Sequence, residues 1–142
     1  MIDFSIITKA TEAMLNAAPV LDGWTIERSV LENESPGRCP WAGIYRKRVG
    51  YTPRRMGVGA RNWGNEIKLD VVVQASSQVD TAEELLEQQL KDVLDVLEGD
   101  RTLGGTVSMV LGYEIEYFIR QDATEDIFYQ RAVITITAEA RS

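Results

Sequence analysis

Hydrophobic residues recur with two different periods along this chain. Near the start, Phe4, Ile7, Ala10, Met14 and Ala17 follow helical spacing, with Asp3 placed to cap the run and Pro19 to stop it. This predicts a first helix to about Ala18. Asp22-Gly23 is turn chemistry. "WTIERSVL" then predicts a strand with Trp24, Ile26 and Val30 on one face, interrupted by Arg28. A polar loop, "ENESPGRCP", leads into "WAGIYRKR", where Ile44 and Tyr45 favour extended backbone.

The second half is more regular. In "NEIKLDVVVQA", Ile67, Leu69, Val71 and Val73 share one face of a strand, with Lys68, Asp70 and Gln74 on the other. Asp80 opens a second helix, and Glu83 sits where a capping-box partner belongs. Leu86, Leu90, Val93 and Leu97 form its apolar seam, widened by Leu85 and Leu94. Glu87 and Lys91 are an (i, i+4) pair, and Gly99 ends the helix. From Thr106 to Arg120 the alternation is cleaner than anywhere else. Val107, Met109, Leu111, Tyr113, Ile115, Tyr117 and Ile119 are expected on one face, with a bulge or bend at Gly112. After a polar "QDATED" turn, Phe128, Ala132, Ile134 and Ile136 define the apolar face of a last strand.

The expected order is α-β-β-β-α-β-β. That pattern predicts an α+β fold: about five strands in a largely antiparallel or mixed sheet, covered on one face by two helices. Val72, Val110, Phe118, Tyr129 and Val133 then fall on the outer face. So much apolar surface there points towards burial against another subunit. Scattered exposed apolar residues are also ordinary.

The chain has 142 residues, the length of one domain, and its core needs no covalent staples. It has a single cysteine, Cys39, and no histidine. An intrachain disulfide, a multi-cysteine zinc site, histidine triads and imidazole acid–base chemistry are all excluded. The amphipathic N-terminus reads as neither signal peptide nor membrane span, so a soluble cytoplasmic origin is the default.

Charge changes this picture. The net charge is −7, yet no acid occurs between Glu34 and Glu66. That window carries Arg38, Arg46, Lys47, Arg48, Arg54, Arg55 and Arg61. Its centre, "VGYTPRRMGVGARNW" (residues 49–63), is expected as a projecting basic loop within the single domain. Folded back on itself, it reaches about 20 Å. A connection that long usually has a task.

Catalytic signals are weak. Glu114 and Glu116 stand two apart on one strand face, about 7 Å by strand rise. That resembles the spacing of a glycosidase carboxylate pair, and equally any solvated strand. "GVGARNWG" lacks the context of a dinucleotide fingerprint, and "TLGGT" lacks the lysine of a P-loop. Cys39 has no base beside it in sequence. No catalytic residue, metal ligand or cofactor is assigned.

The cationic segment has three readings: a grip on nucleic-acid phosphates, a dock for acidic protein surface, or a solvated loop. Arginine predominates, and Tyr51, Met56, Val58 and Trp63 are interleaved with it. Arginine with aromatics is the composition of protein interface anchors, although aromatics also stack on bases.

"WAGIY", the Pro/Arg/Gly-rich loop, "NWGNEIKLDVVVQ", an acidic amphipathic helix, "DRTLGGTVSMVLGYEIEY" and "RAVITITAEA" together resemble the tail terminator (tail completion) proteins of long-tailed bacteriophages. The resemblance runs from about Trp24 to Ala140 and lies in element order and character. Its most specific piece is Asp100-Arg101-Thr102-Leu103-Gly104-Gly105. It implies a small structural subunit, with no reaction and no cofactor. The subunit forms a ring, usually hexameric, that caps the tail tube and joins it to the neck or head-completion protein. Such a protein works in the virion, at the head–tail junction, after assembly in the host cytoplasm. DNA passes through its channel without specific binding, and no membrane is involved.

A ring subunit must match one surface patch to a different one. The basic window and the acidic helix face of Glu83, Glu84, Glu87, Asp92 and Asp95 supply such a pair. Six basic segments aimed at one duplex would set about thirty cations against sliding DNA and clamp it. The expected interface residues are therefore Arg46, Lys47, Arg48, Tyr51, Arg54, Arg55, Arg61 and Trp63, meeting protein carboxylates such as Glu83, Glu84 and Glu87. A head–tail connector or stopper, a nucleic-acid-binding module and a small hydrolase remain as alternatives.

Overall fold

The computed structural model describes residues 3–28, 40–54, 62–77, 82–122 and 127–140. Helix α1 spans Phe4–Ala17. The Asp3 carboxylate caps it, accepting from the Ser5 amide at 3.0 Å and the Ser5 hydroxyl at 2.7 Å. Pro19 then opens a single 3-10 turn, Pro19–Leu21. Strands β1 (Thr25–Arg28), β2 (Trp41–Arg54) and β3 (Asn62–Ser77) follow, then helix α2 (Ala82–Glu98) and strands β4 (Val107–Asp122) and β5 (Ile127–Ala140).

The five strands form one sheet in the order β1-β2-β3-β5-β4. β1 runs parallel to β2, and every other pair is antiparallel. The fold is thus α+β with a mixed sheet, as the periodicity predicts. Ile7 and Leu15 of α1, together with Leu86, Leu90, Val93 and Leu97 of α2, share one apolar core with Ile44, Ile67, Leu69, Val71, Val73, Ile134 and Ile136 of the sheet. The predicted seam of α2 is buried along its whole length. Arg28, which breaks the apolar face of β1, reaches Thr8 of α1 at 3.4 Å and Glu12 at 3.9 Å. Its charge is met where the sequence pattern alone leaves it unexplained.

Trp41 is fully buried on the face away from the helices. Its indole Nε1 donates to Glu27 Oε2 at 2.9 Å. A Cβ on Gly43 would lie 2.3 Å from Trp41 Cη2 and 2.8 Å from Tyr45 Cε2. Only glycine leaves room for the two rings over that strand, which accounts for the "WAGIY" spacing.

The turn "DRTLGG" closes on itself. Asp100 Oδ1 accepts from the Thr102 amide at 2.9 Å and its hydroxyl at 2.5 Å, and Oδ2 accepts from the Gly104 amide at 3.1 Å. These bonds hold the Asp100 carboxyl below its ordinary range, the Thr102 hydroxyl contributing most. Leu103 takes a positive φ of 47° and is fully buried in the shared core. Gly104 follows at φ 70°, where a side chain would be strained.

β4 departs from the alternation expected of it. The register shifts between Val107 and Met109 and again between Val110 and Gly112. Each bulge adds one residue, so the inward positions fall at Val107, Val110 and Tyr113 rather than at every second residue. Val110, expected outside, is fully buried, while Met109 and Leu111, expected inside, are about half exposed. The Gly112 irregularity was legible; its effect on every residue before it was not.

The expected loop at residues 49–63 is also redrawn. β2 and β3 stay paired through Tyr51↔Asn65, Thr52↔Gly64, Pro53↔Trp63 and Arg54↔Asn62. β5 pairs with β3 only as far as Glu66↔Glu139. These last pairs therefore project past the sheet as a two-stranded ribbon, by about 14 Å at ~3.4 Å per residue.

Candidate functional site

The basic segment begins in the body of β2. Arg46, Lys47 and Arg48 are all exposed, at a bulge between Arg46 and Arg48. Arg46 stands opposite Leu69 and Arg48 opposite Lys68. Lys47 has an internal partner: its Nζ lies 3.7 Å from Asp70 Oδ1 and 3.3 Å from Thr135 Oγ1, which in turn donates to Asp70 at 2.7 Å. An exposed ion pair of this kind contributes about 0–1 kcal/mol. Tyr51, Arg54 and Trp63 lie in the projecting ribbon. Arg55, Arg61, Met56 and Val58 lie outside the described residues, as do Cys39, Val30 and Asp80, the expected cap.

The acidic partners lie elsewhere. Glu83, Glu84 and Glu87 are exposed on the first half of α2. Here α2 and β4 bound a groove of about 680 Å³, with Leu90, Leu94, Ile115 and Tyr117 in its lining beside the three glutamates. Tyr117 hydrogen-bonds Glu87, and that bond, more than burial, pushes the phenol above its ordinary range. The sequence reading named the glutamates but missed Ile115 and Tyr117 as groove residues. Both were expected in the core, and they are exposed by about a third and a half.

β4 is an edge strand, and among the described residues it carries most of the large exposed apolar side chains: Met109, Leu111, Ile115, Tyr117 and Phe118. Arg131 stacks over the Phe118 ring, its guanidinium carbon 5.2 Å from the centroid. The nearest sequence signal was the surplus of apolar residues on both sides of this strand.

Glu114 and Glu116 stand exposed opposite Thr135 and Val133. Among the described residues, no cluster of acids could hold a metal ion, and no helix is long and apolar enough to cross a membrane.

One matching solved structure is a chain of the virion of a native gene transfer agent particle. The two share 14% sequence identity and superpose with a TM-score of 0.55, over 94% of this chain and 94% of that one. The likeness is one of fold. No family model and no curated protein matches the chain.

Proposed function

We propose that this chain is a structural protein of a phage-like virion, a ring-forming tail terminator that caps the tail tube and joins it to the neck. The observation that carries the reading is the end-to-end match in fold to a chain of a virion particle, over 94% of both chains. The sequence resemblance to tail terminators points to the same kind of particle. The surface adds a physical reason: β2 exposes Arg46, Lys47 and Arg48 while the first half of α2 exposes Glu83, Glu84 and Glu87, two unlike patches of the kind a head-to-tail contact pairs. In this role the protein does mechanical work by contact and carries out no reaction.

Incubating the purified protein with tail tubes and imaging by negative stain tests the proposal. Rings seated at tube ends are expected. Protein that ignores tube ends, or that decorates tube walls instead, overturns it. A salt titration against duplex DNA addresses the nucleic-acid alternative. A phosphate-gripping module loses affinity with a slope near −0.9 per contacted phosphate, whereas a terminator shows weak binding at any physiological salt.

A further inference from the structure

The groove between α2 and β4 combines exposed apolar side chains with carboxylates. Its lining presents Ile115 and Tyr117 to solvent, and Glu83, Glu84 and Glu87 outnumber the single cation there, Lys91. Apolar surface beside a net negative lining suits a partner that is both aromatic and cationic. The chain carries such a segment itself: residues 46–63 hold Arg46, Lys47, Arg48, Arg54, Arg55 and Arg61, with Tyr51 and Trp63 among them and no acid.

Within one molecule the sheet register sets the described part of the ribbon far from the groove. The row containing Gly50 and Glu66 marks where the ribbon leaves the sheet, and the row containing Val73, Ala132 and Tyr117 marks the groove. Seven residues of strand separate the rows, about 24 Å. β2 lies three strands from β4, about 14 Å across the sheet. The ribbon runs away from the groove, adding about 14 Å more. The described ribbon residues and the groove thus lie three strands apart and towards opposite ends of β3.

We infer that the α2–β4 groove is the receiving site for the cationic β2–β3 ribbon of a second copy of this chain. The inference rests on the ring reading and gives that ring its joint. Because the two surfaces differ, the contact is heterologous, and it closes a ring when the rotation between copies permits. The glutamates steer and hold the arginines, while Ile115 and Tyr117 provide apolar surface for the ribbon's aromatics.

The test compares full-length variants by native mass spectrometry over a concentration series. Glu83→Arg/Glu84→Arg/Glu87→Arg reverses the groove, and Arg54→Glu/Arg55→Glu reverses the ribbon. Each alone is expected to raise the concentration needed for rings by roughly tenfold or more. The variant carrying both sets regains assembly. Mixing the two single-site variants also restores it, because each then offers the charge the other lacks, and the mixed rings alternate and contain only even numbers of subunits. All the substituted glutamates are exposed, so the thermal midpoint serves as a check that the fold persists. If wild-type rings form and the groove-reversed variant forms them equally well, the inference is overturned and the ring reading stands. If the wild type stays monomeric even with tail tubes, both fall.

Discussion

β3 and β4 are each sixteen residues long, yet the same sheet uses them in opposite ways. β3 lies between β2 and β5, and Ile67, Leu69, Val71, Val72, Val73 and Ala75 are all buried. β4 is an edge, twice bulged, with Met109, Leu111, Ile115, Tyr117 and Phe118 exposed. Read as sequence, β4 looks the better strand, because its alternation is cleaner. β3 shows a run of three valines instead. The difference teaches that alternation reports two unlike faces, while a continuous apolar run reports cover on both. An edge that remains apolar on both faces is a liability for a monomer and an asset for an assembly part.

This contrast sets the scale of the mutational effects. Leu69→Ala in β3 is expected to cost about 2–5 kcal/mol, by lost burial and the cavity left behind. Leu111→Ala in β4 should stay within about 0.5 kcal/mol, since the side chain is half exposed. Urea unfolding of both variants checks the pair; equal costs would erase the distinction.

Gly43→Ala tests whether the far face of the sheet is as tightly built as the helix side. The new methyl meets the Trp41 and Tyr45 rings, and overpacking of that kind costs about 1–3 kcal/mol. Tryptophan fluorescence should shift with it. An unchanged spectrum and stability would mean that the rings lie elsewhere.

Asp100→Ala removes the carboxylate that closes the turn into β4 and should cost about 1–2 kcal/mol. The pH dependence has a definite sign. The folded value lies below the ordinary 3.8, so the stabilisation is complete above 3.8 and is lost as pH falls through the lower folded value. Urea midpoints of wild type and variant, followed down through that window, should converge. The smallest effect is expected from Tyr117→Phe, which removes only the hydroxyl bonded to Glu87 at an exposed site. Thermal unfolding should move by less than about 0.5 kcal/mol equivalent.

Much of the fold was legible because its signals are local. Asp3, Pro19 and the Leu86–Leu97 seam act through near neighbours, and each does what its spacing predicts. The bulges in β4 were not legible in full, since an extra residue is defined only against the register of a partner strand, here β5. For the same reason the boundaries of the basic loop moved. Nothing in "VGYTPR" announces that it stays paired with "NWGN", because glycine and proline weaken every strand signal there. At the candidate site, the glutamates of α2 could be named from one helix. The groove needed β4 brought beside it, a long-range fact that composition does not carry. The internal pairing of Lys47 with Asp70 across two strands is of the same kind.

In the proposed ring, copies of this chain join through two unlike surfaces, the ribbon of one against the α2–β4 groove of the next. Native mass spectrometry of the pure, unmodified protein addresses this most directly. A closed ring of one defined stoichiometry, dissociating as salt is raised, is the predicted result. A two-fold dimer, in which the same patch meets itself, would contradict it, and so would a monomer that persists at every concentration and at tube ends.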